Sequence, residues 1–171
     1  MTPVAQSIAS LLLRELHALR RQLELFPDET AIWALPEGVS NSTGTLVLHL
    51  AGNLRHFIGA RLGHSGYVRD REREFAARDL PRAVLLAELS EAEAVVRSVL
   101  PTLTESDLGQ PFPEIVLNQH LETGDFLLHL SVHLAYHLGQ VDYHRRIVTR
   151  NSSGAGALAL AEIRTARPAS A

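Results

Sequence analysis

The apolar positions of the chain fall into four long stretches separated by connections rich in proline, glycine and charge. Ile8, Leu12, Leu16, Leu19 and Leu23 recur at intervals of three and four residues, the repeat of one helix face. Thr2-Pro3 supplies a capping hydroxyl followed by proline at the first helical position, and Pro27-Asp28 ends the run. Stretch 27–44 holds two prolines, two glycines, Asn41 and Ser42, and predicts a long connection carrying Trp33. Ser42 or Thr43 then caps a second helix reaching about Leu62, with Leu46, His49, Leu50, Asn53, Leu54 and Phe57 on one broad face.

Residues 67–78 are crowded with charge and predict a solvated loop or a helical edge. Asp79-Leu80-Pro81 starts a third helix with Leu85, Leu89, Ala92, Val96 and Val99 on its apolar face, ended by Pro101. Pro111 and Pro113 mark an irregular stretch in which 115–117 read as extended. Thr123 caps the last helix, which begins at Gly124 or Asp125 and runs to about Thr149. No strand pair and no internal repeat emerge. The pattern is all-α, a bundle of four helices over residues 1–150, with an Ala-rich tail at 151–171 expected to be partly mobile around a short helix from Leu158 to Arg164.

Composition narrows the function. The chain of 171 residues is 46% hydrophobic and 20% charged, with a formal net charge of -3, and shows no basic face of the kind nucleic acids demand. No apolar run approaches the roughly 20 residues of a membrane span. Cysteine is absent, which removes disulfides, thiolate nucleophiles and Cys-type zinc sites from consideration. These features predict a cytoplasmic protein with a small-molecule partner rather than a nucleic acid or a membrane.

Histidine is the unusual component: nine in all, four of them between 129 and 144. At about 100° per residue, His129, His133, His137 and His144 fall at about 0°, 40°, 80° and 60° on the last helix, one narrow stripe shared with Phe126, Leu130 and Val141. One neutral imidazole is readily satisfied in a core, but several together leave ring nitrogens unpaired at about 1–3 kcal/mol each. A shared cation relieves that cost. His133 and His137, one turn apart, can converge on one ion. A third ligand then comes from the second helix, from His49 or His56; these lie roughly 10 Å apart along the axis, so only one completes the site. Gln140, Tyr136 and Asn53 lie where they can reach the cleft, whereas no carboxylate is evident on the histidine stripe.

The segment His129-Leu-Ser-Val-His133-Leu-Ala-Tyr-His137-Leu-Gly139-Gln140 resembles the last-helix signature of the DinB-like (YfiT-related) metal-dependent family. The segment Thr45-Leu-Val-Leu-His49-Leu-Ala-Gly is similar to that family's second-helix motif, and Leu138 stands where members often carry a basic residue. The resemblance spans roughly residues 1–150. It implies a four-helix bundle of up-down-down-up order, frequently a homodimer, with one divalent metal, zinc or nickel, on His49, His133 and His137. It further implies chemistry on low-molecular-weight thiols, by S-transfer or a related hydrolysis or isomerisation; the alternative is a non-catalytic, stress-associated protein with a structural metal or none. Antiparallel packing of the second and fourth helices would also set His56 near His129, as a hydrogen-bonded pair or a weak second metal site.

Overall fold

The computed structural model describes residues 2–169. Among these it contains α1 (Pro3–Glu24), α2 (Glu29–Trp33), α3 (Thr43–Leu54), α4 (Arg71–Ala76), α5 (Arg82–Val99), α6 (Glu105–Leu108) and α7 (Thr123–Thr149), and no named strand. The architecture is all-α, as the periodicity predicts. The number of helices differs, because three short ones, α2, α4 and α6, form inside the expected connections. Each has a local cause: Asp28, Asp70 and Thr104 accept backbone N–H groups at their starts.

The long helices begin as the sequence implies. Thr2 accepts from Ala5 N with Pro3 at the first helical position, and Ser42 accepts from Thr45 N. α3 continues without a break into a π-helical segment, Arg55–Leu62, whose wider turn ends with Gly63 N donating to Ile58 O at 2.9 Å. α7 starts one residue earlier than expected. The backbone N–H and the hydroxyl of Thr123 both donate to Gln110 O (2.9 and 3.0 Å), so Thr123 ties the helix to the preceding loop rather than capping it.

Helix directions follow from who meets whom. Arg20 reaches Ser90 and Glu93 while His17 meets Arg97, so α1 and α5 are antiparallel. α3 and α5 run parallel: Arg55 pairs with Glu88, and Gly59 and Gly63 lie against Val95 and Val99. Phe57 packs on Phe126 and His49 on His133, so α3 and α7 are antiparallel. The core between them contains every apolar residue of the α1 face, with Leu12, Leu16, Leu19 and Leu23 fully buried, and likewise Leu85, Leu89, Ala92 and Val96 of α5.

Two connections differ from their sequence reading. Residues 115–117 are not an extended run but enter a tight hairpin: Val116 and Gln119 exchange backbone hydrogen bonds (3.0 and 2.8 Å) around Leu117 and Asn118, both at positive φ. Segment 67–78, expected to be a solvated loop or a helical edge, carries the short helix α4 but also inserts one side chain, Glu74, into the interior. Beyond α7, the buried Arg145 donates to Gln22 Oε1 (2.5 Å), Asn151 O (3.0 Å) and Ser153 O, and turns the chain back along α1. Arg21 holds Ala155 O and Gly156 O there, and Arg164 N donates to Ser10 Oγ. A single 3₁₀ turn, Leu160–Glu162, stands where a short helix was expected.

Candidate metal centre

α3 and α7 bring His49, His133 and His137 together, with one ring nitrogen from each lying within 4.8 Å of the others. His49 is buried; the other two are half-buried. The outward nitrogens of two of them, His137 and His49, are already engaged. His137 Nδ1 lies 2.7 Å from Gln140 Oε1 and donates to it, and His49 Nδ1 lies 3.2 Å from Glu74 Oε2. That arrangement leaves the Nε2 lone pairs of both rings facing the cluster, where His49 Nε2 and His133 Nε2 are 3.4 Å apart. Two nitrogens bound to one zinc at about 2.0–2.1 Å in tetrahedral geometry are about 3.3 Å apart, so the His49–His133 pair is spaced for one divalent ion, and the His137 nitrogen lies within 4.8 Å of both.

Burial keeps His133 and His137 in the ligating form. Burial, reinforced by the neighbouring His137, His49 and His129 and by Arg69, pushes His133 down to about 4. Burial also lowers His137, against the opposing hydrogen bond to Gln140. Both rings are therefore neutral at pH 7 and offer a lone pair rather than a charge.

Glu74 is the residue the sequence reading misses. It is 5% exposed, held by Arg69 through two hydrogen bonds of 2.7 and 2.8 Å. Burial pushes its carboxyl up, but the hydrogen bonds from Arg69 and His49 outweigh it and hold the group below the ordinary value, so it is ionised. It reaches His49 only because residue 52 is glycine: a Cβ there would lie 2.1 Å from Glu74 Oε1. Its sequence cues were the Asp70 cap, which makes 71–76 helical, and a glycine on the apolar face of α3, and neither points at a carboxylate until the two elements are placed together.

Arg69 complicates the tautomer. Its Nη2 also lies 3.2 Å from His49 Nδ1. A ring that accepts there must carry its proton on Nε2 and cannot bind a metal; a ring that donates to Glu74 can. The carboxylate thus selects the ligating tautomer.

The remaining sequence candidates separate. Asn53, one turn beyond His49, is 8% exposed and lines a cavity of about 350 Å³ with His49 and His133. Tyr136 is 63% exposed, its ring centroid 5.1 Å from that of His137. His144, expected on the same stripe, is no part of the cluster. It lies about two turns beyond His137 and is buried between Thr43 Oγ1 (2.8 Å) and Ala34 O (2.7 Å). The expected His56–His129 pair does not form among the described residues: His56 Nε2 bonds Glu114 at 2.9 Å, whereas His129 stacks on Phe126 with centroids 6.0 Å apart.

The profile of the DinB superfamily matches residues 11–141, a span that includes all three histidines, the whole of α3 and most of α7. The chain belongs to the DinB superfamily. No curated protein and no solved structure matches it. Within this DinB-superfamily chain no helix is long and apolar enough to cross a membrane, among the described residues.

Proposed function

We propose that this DinB-superfamily chain is a metal-dependent enzyme that transfers a low-molecular-weight thiol to an electrophile, working from a three-histidine centre in an up-down-down-up bundle. The observation that carries the reading is the convergence of three imidazole nitrogens within 4.8 Å, two of the rings, His49 and His133, lining an open cavity. Three protein ligands beside a cavity follow the pattern of catalytic sites, which keep a position for substrate, rather than structural sites closed by four.

His49, His133 and His137 would hold a divalent ion, zinc or nickel, which would supply Lewis acidity toward a thiol at neutral pH. Glu74 fixes the tautomer and direction of His49, and Gln140 does the same for His137. The chain has no cysteine, so the thiol is a co-substrate. The cavity beside His49 and His133 holds the electrophile, with the apolar walls of Phe57, Phe126 and Leu130 limiting water around it. Tyr136, exposed beside His137, is the candidate to meet the thiol's outer end.

The test is the metal content of untagged protein, compared with His133→Ala. About one equivalent of zinc or nickel, lost in the variant, supports the centre, and turnover of a small thiol with a chromogenic aryl halide by the loaded protein alone supports transfer. Protein that stays empty when either metal is added refutes the reading.

A further inference from the structure

The outer face of α7 carries a pattern that the fold of one chain does not use. Helix faces turned to water are ordinarily polar. On α7, Leu128, Val132, Tyr136, Tyr143 and Ile147 are all exposed, at 48–71%. At about 100° per residue they and Gly139 fall within one arc of about 100°, a stripe about 30 Å long. Among the described residues nothing covers it.

Charge is kept off this stripe. The chain is 20% charged, yet between Asp125 and Arg146 the helix has only Asp142 and Arg145, and both are turned inward. Arg145 is fully buried, and Asp142 accepts from Gln22 at 2.7 Å and pairs with Arg146 at 2.8 Å.

Gly139, in the middle of the stripe, is a second and separate observation. A Cβ there would meet nothing within 4 Å, so no contact inside the chain requires glycine. In a helix interior glycine costs about 0.5–1 kcal/mol relative to alanine. What it permits is the close approach of another backbone, such as a helix lying across this face.

The identity of that helix follows from the order of the residues. Tyr136 and Tyr143 lie equally far from the point between Gly139 and Gln140, and so do Val132 and Ile147. A stripe that reads alike in both directions is complementary to itself when two copies run antiparallel, as an isologous two-fold contact requires. Tyrosine then meets tyrosine, and valine meets isoleucine. The ends agree in charge. Asp125 and Arg150 are both exposed near opposite ends of α7, and antiparallel pairing brings Asp125 within about one turn of the partner's Arg150. Parallel pairing would set aspartate against aspartate and arginine against arginine.

We propose that the outer face of α7 is a self-association surface, through which two copies of the chain pair antiparallel on Val132, Tyr136, Tyr143 and Ile147 and cross at Gly139. The pairing does not rest on the metal-enzyme reading. It does bear on that site, because Gln140, which bonds His137 Nδ1 at 2.7 Å, lies at the crossing and is shielded there by the second copy.

The experiment is sedimentation equilibrium of the full chain, zinc-free and zinc-loaded, from about 1 to about 100 μM, the range for a small interface. Dimers form with and without zinc. Tyr143→Glu and Gly139→Leu each weaken the dimer about tenfold or more. Diluted to monomer, both variants melt near the wild-type temperature, and Gly139→Leu no lower, since leucine outranks glycine in a helix. The chain has no cysteine, so orientation can be read by oxidation. Tyr136→Cys mixed with Tyr143→Cys gives a disulfide-linked pair. Neither variant links to itself, because like positions then lie about 10 Å apart along the axis, beyond the reach of a disulfide. Protein that stays monomeric throughout, a dimer untouched by Tyr143→Glu and Gly139→Leu, self-linking of either cysteine variant, or association only with zinc would overturn the proposal. A dimer of this kind that binds no zinc refutes the metal enzyme and leaves the pairing standing, so the two failures are distinguishable.

Discussion

Replacing Glu74 by glutamine tests the most consequential contact of the site, because it changes charge while keeping shape. In the native protein His49 Nδ1 has two neighbours at 3.2 Å, a carboxylate that can only accept and a guanidinium that can only donate. With the carboxylate ionised, the ring donates to it and Nε2 is free to bind metal. Glutamine removes the negative charge, leaves Arg69 without its counter-ion, and no longer opposes the tautomer in which Arg69 donates to Nδ1. Loss of an outer carboxylate partner of a histidine ligand typically costs 10–100-fold in metal affinity, or about 1.4–2.7 kcal/mol. Glu74 is 6% exposed at its side chain, so solvent screening does not erase the effect. Competition for zinc against a chromophoric chelator at pH 7 reads the affinity, and a melting curve without metal checks the fold. The expected result is one zinc bound at least tenfold more weakly by a protein that still folds. An affinity within threefold of wild type, in a variant that melts normally, would falsify the claim that Glu74 selects the tautomer.

Other consequences are independent of that contact. Gly52→Ala places a methyl where Glu74 Oε1 now lies, 2.1 Å from it. It should weaken zinc binding as Glu74→Gln does and also lower stability by about 1–3 kcal/mol, measured by urea titration. Arg145→Met removes a fully buried guanidinium and leaves Asp142, Gln22 and the carbonyls of Asn151 and Ser153 short of partners. A loss of about 3–5 kcal/mol is expected, with faster amide exchange in 151–156, and unchanged exchange there would contradict the pinning role. Burial lowers His144 in the folded state, against the Ala34 carbonyl, so its contribution to stability is full above the unfolded value near 6.5 and is lost as pH falls below it. Chemical melts of wild type and His144→Gln between pH 7.5 and 5 should show a shallower acid loss in the variant; parallel curves would exclude His144 as the cause. His133, held down to about 4, stays neutral through this window, so zinc affinity should fall less between pH 7 and 6 than for an imidazole of ordinary pKa.

The all-α class and the long helices were legible because their signals are periodic and local. Leu12, Leu16, Leu19 and Leu23 repeat at the helical interval and are all fully buried. The triad was legible in part for the same reason: His133 and His137 are one turn apart, whatever the rest of the chain does. The choice of His49 over His56 is not a local matter, and it came from the resemblance. What the sequence concealed depends on contacts between distant elements. Glu74 sits in a run of charges that looks solvated, and only the docking of α4 on α3 turns one of seven similar side chains inward. His144 shares the angular stripe of the ligands yet lies too far along the axis, where Thr43 and Ala34 satisfy it. Angle on a helix is readable from spacing, whereas depth in the bundle is not.

The placement of Arg69 and Glu74 has a bearing on how such a site diversifies. All three candidate ligands lie on long helices whose opposite faces build the core, so substitutions near them are constrained by packing. The pair that tunes His49 lies instead in the connection 67–78, of which Glu74 alone is buried. Metal preference and ligand basicity can therefore drift by exchange of one short surface segment, with the bundle left intact. Chains that share these helices but differ in that connection would be expected to share a metal-binding scaffold and diverge in reactivity.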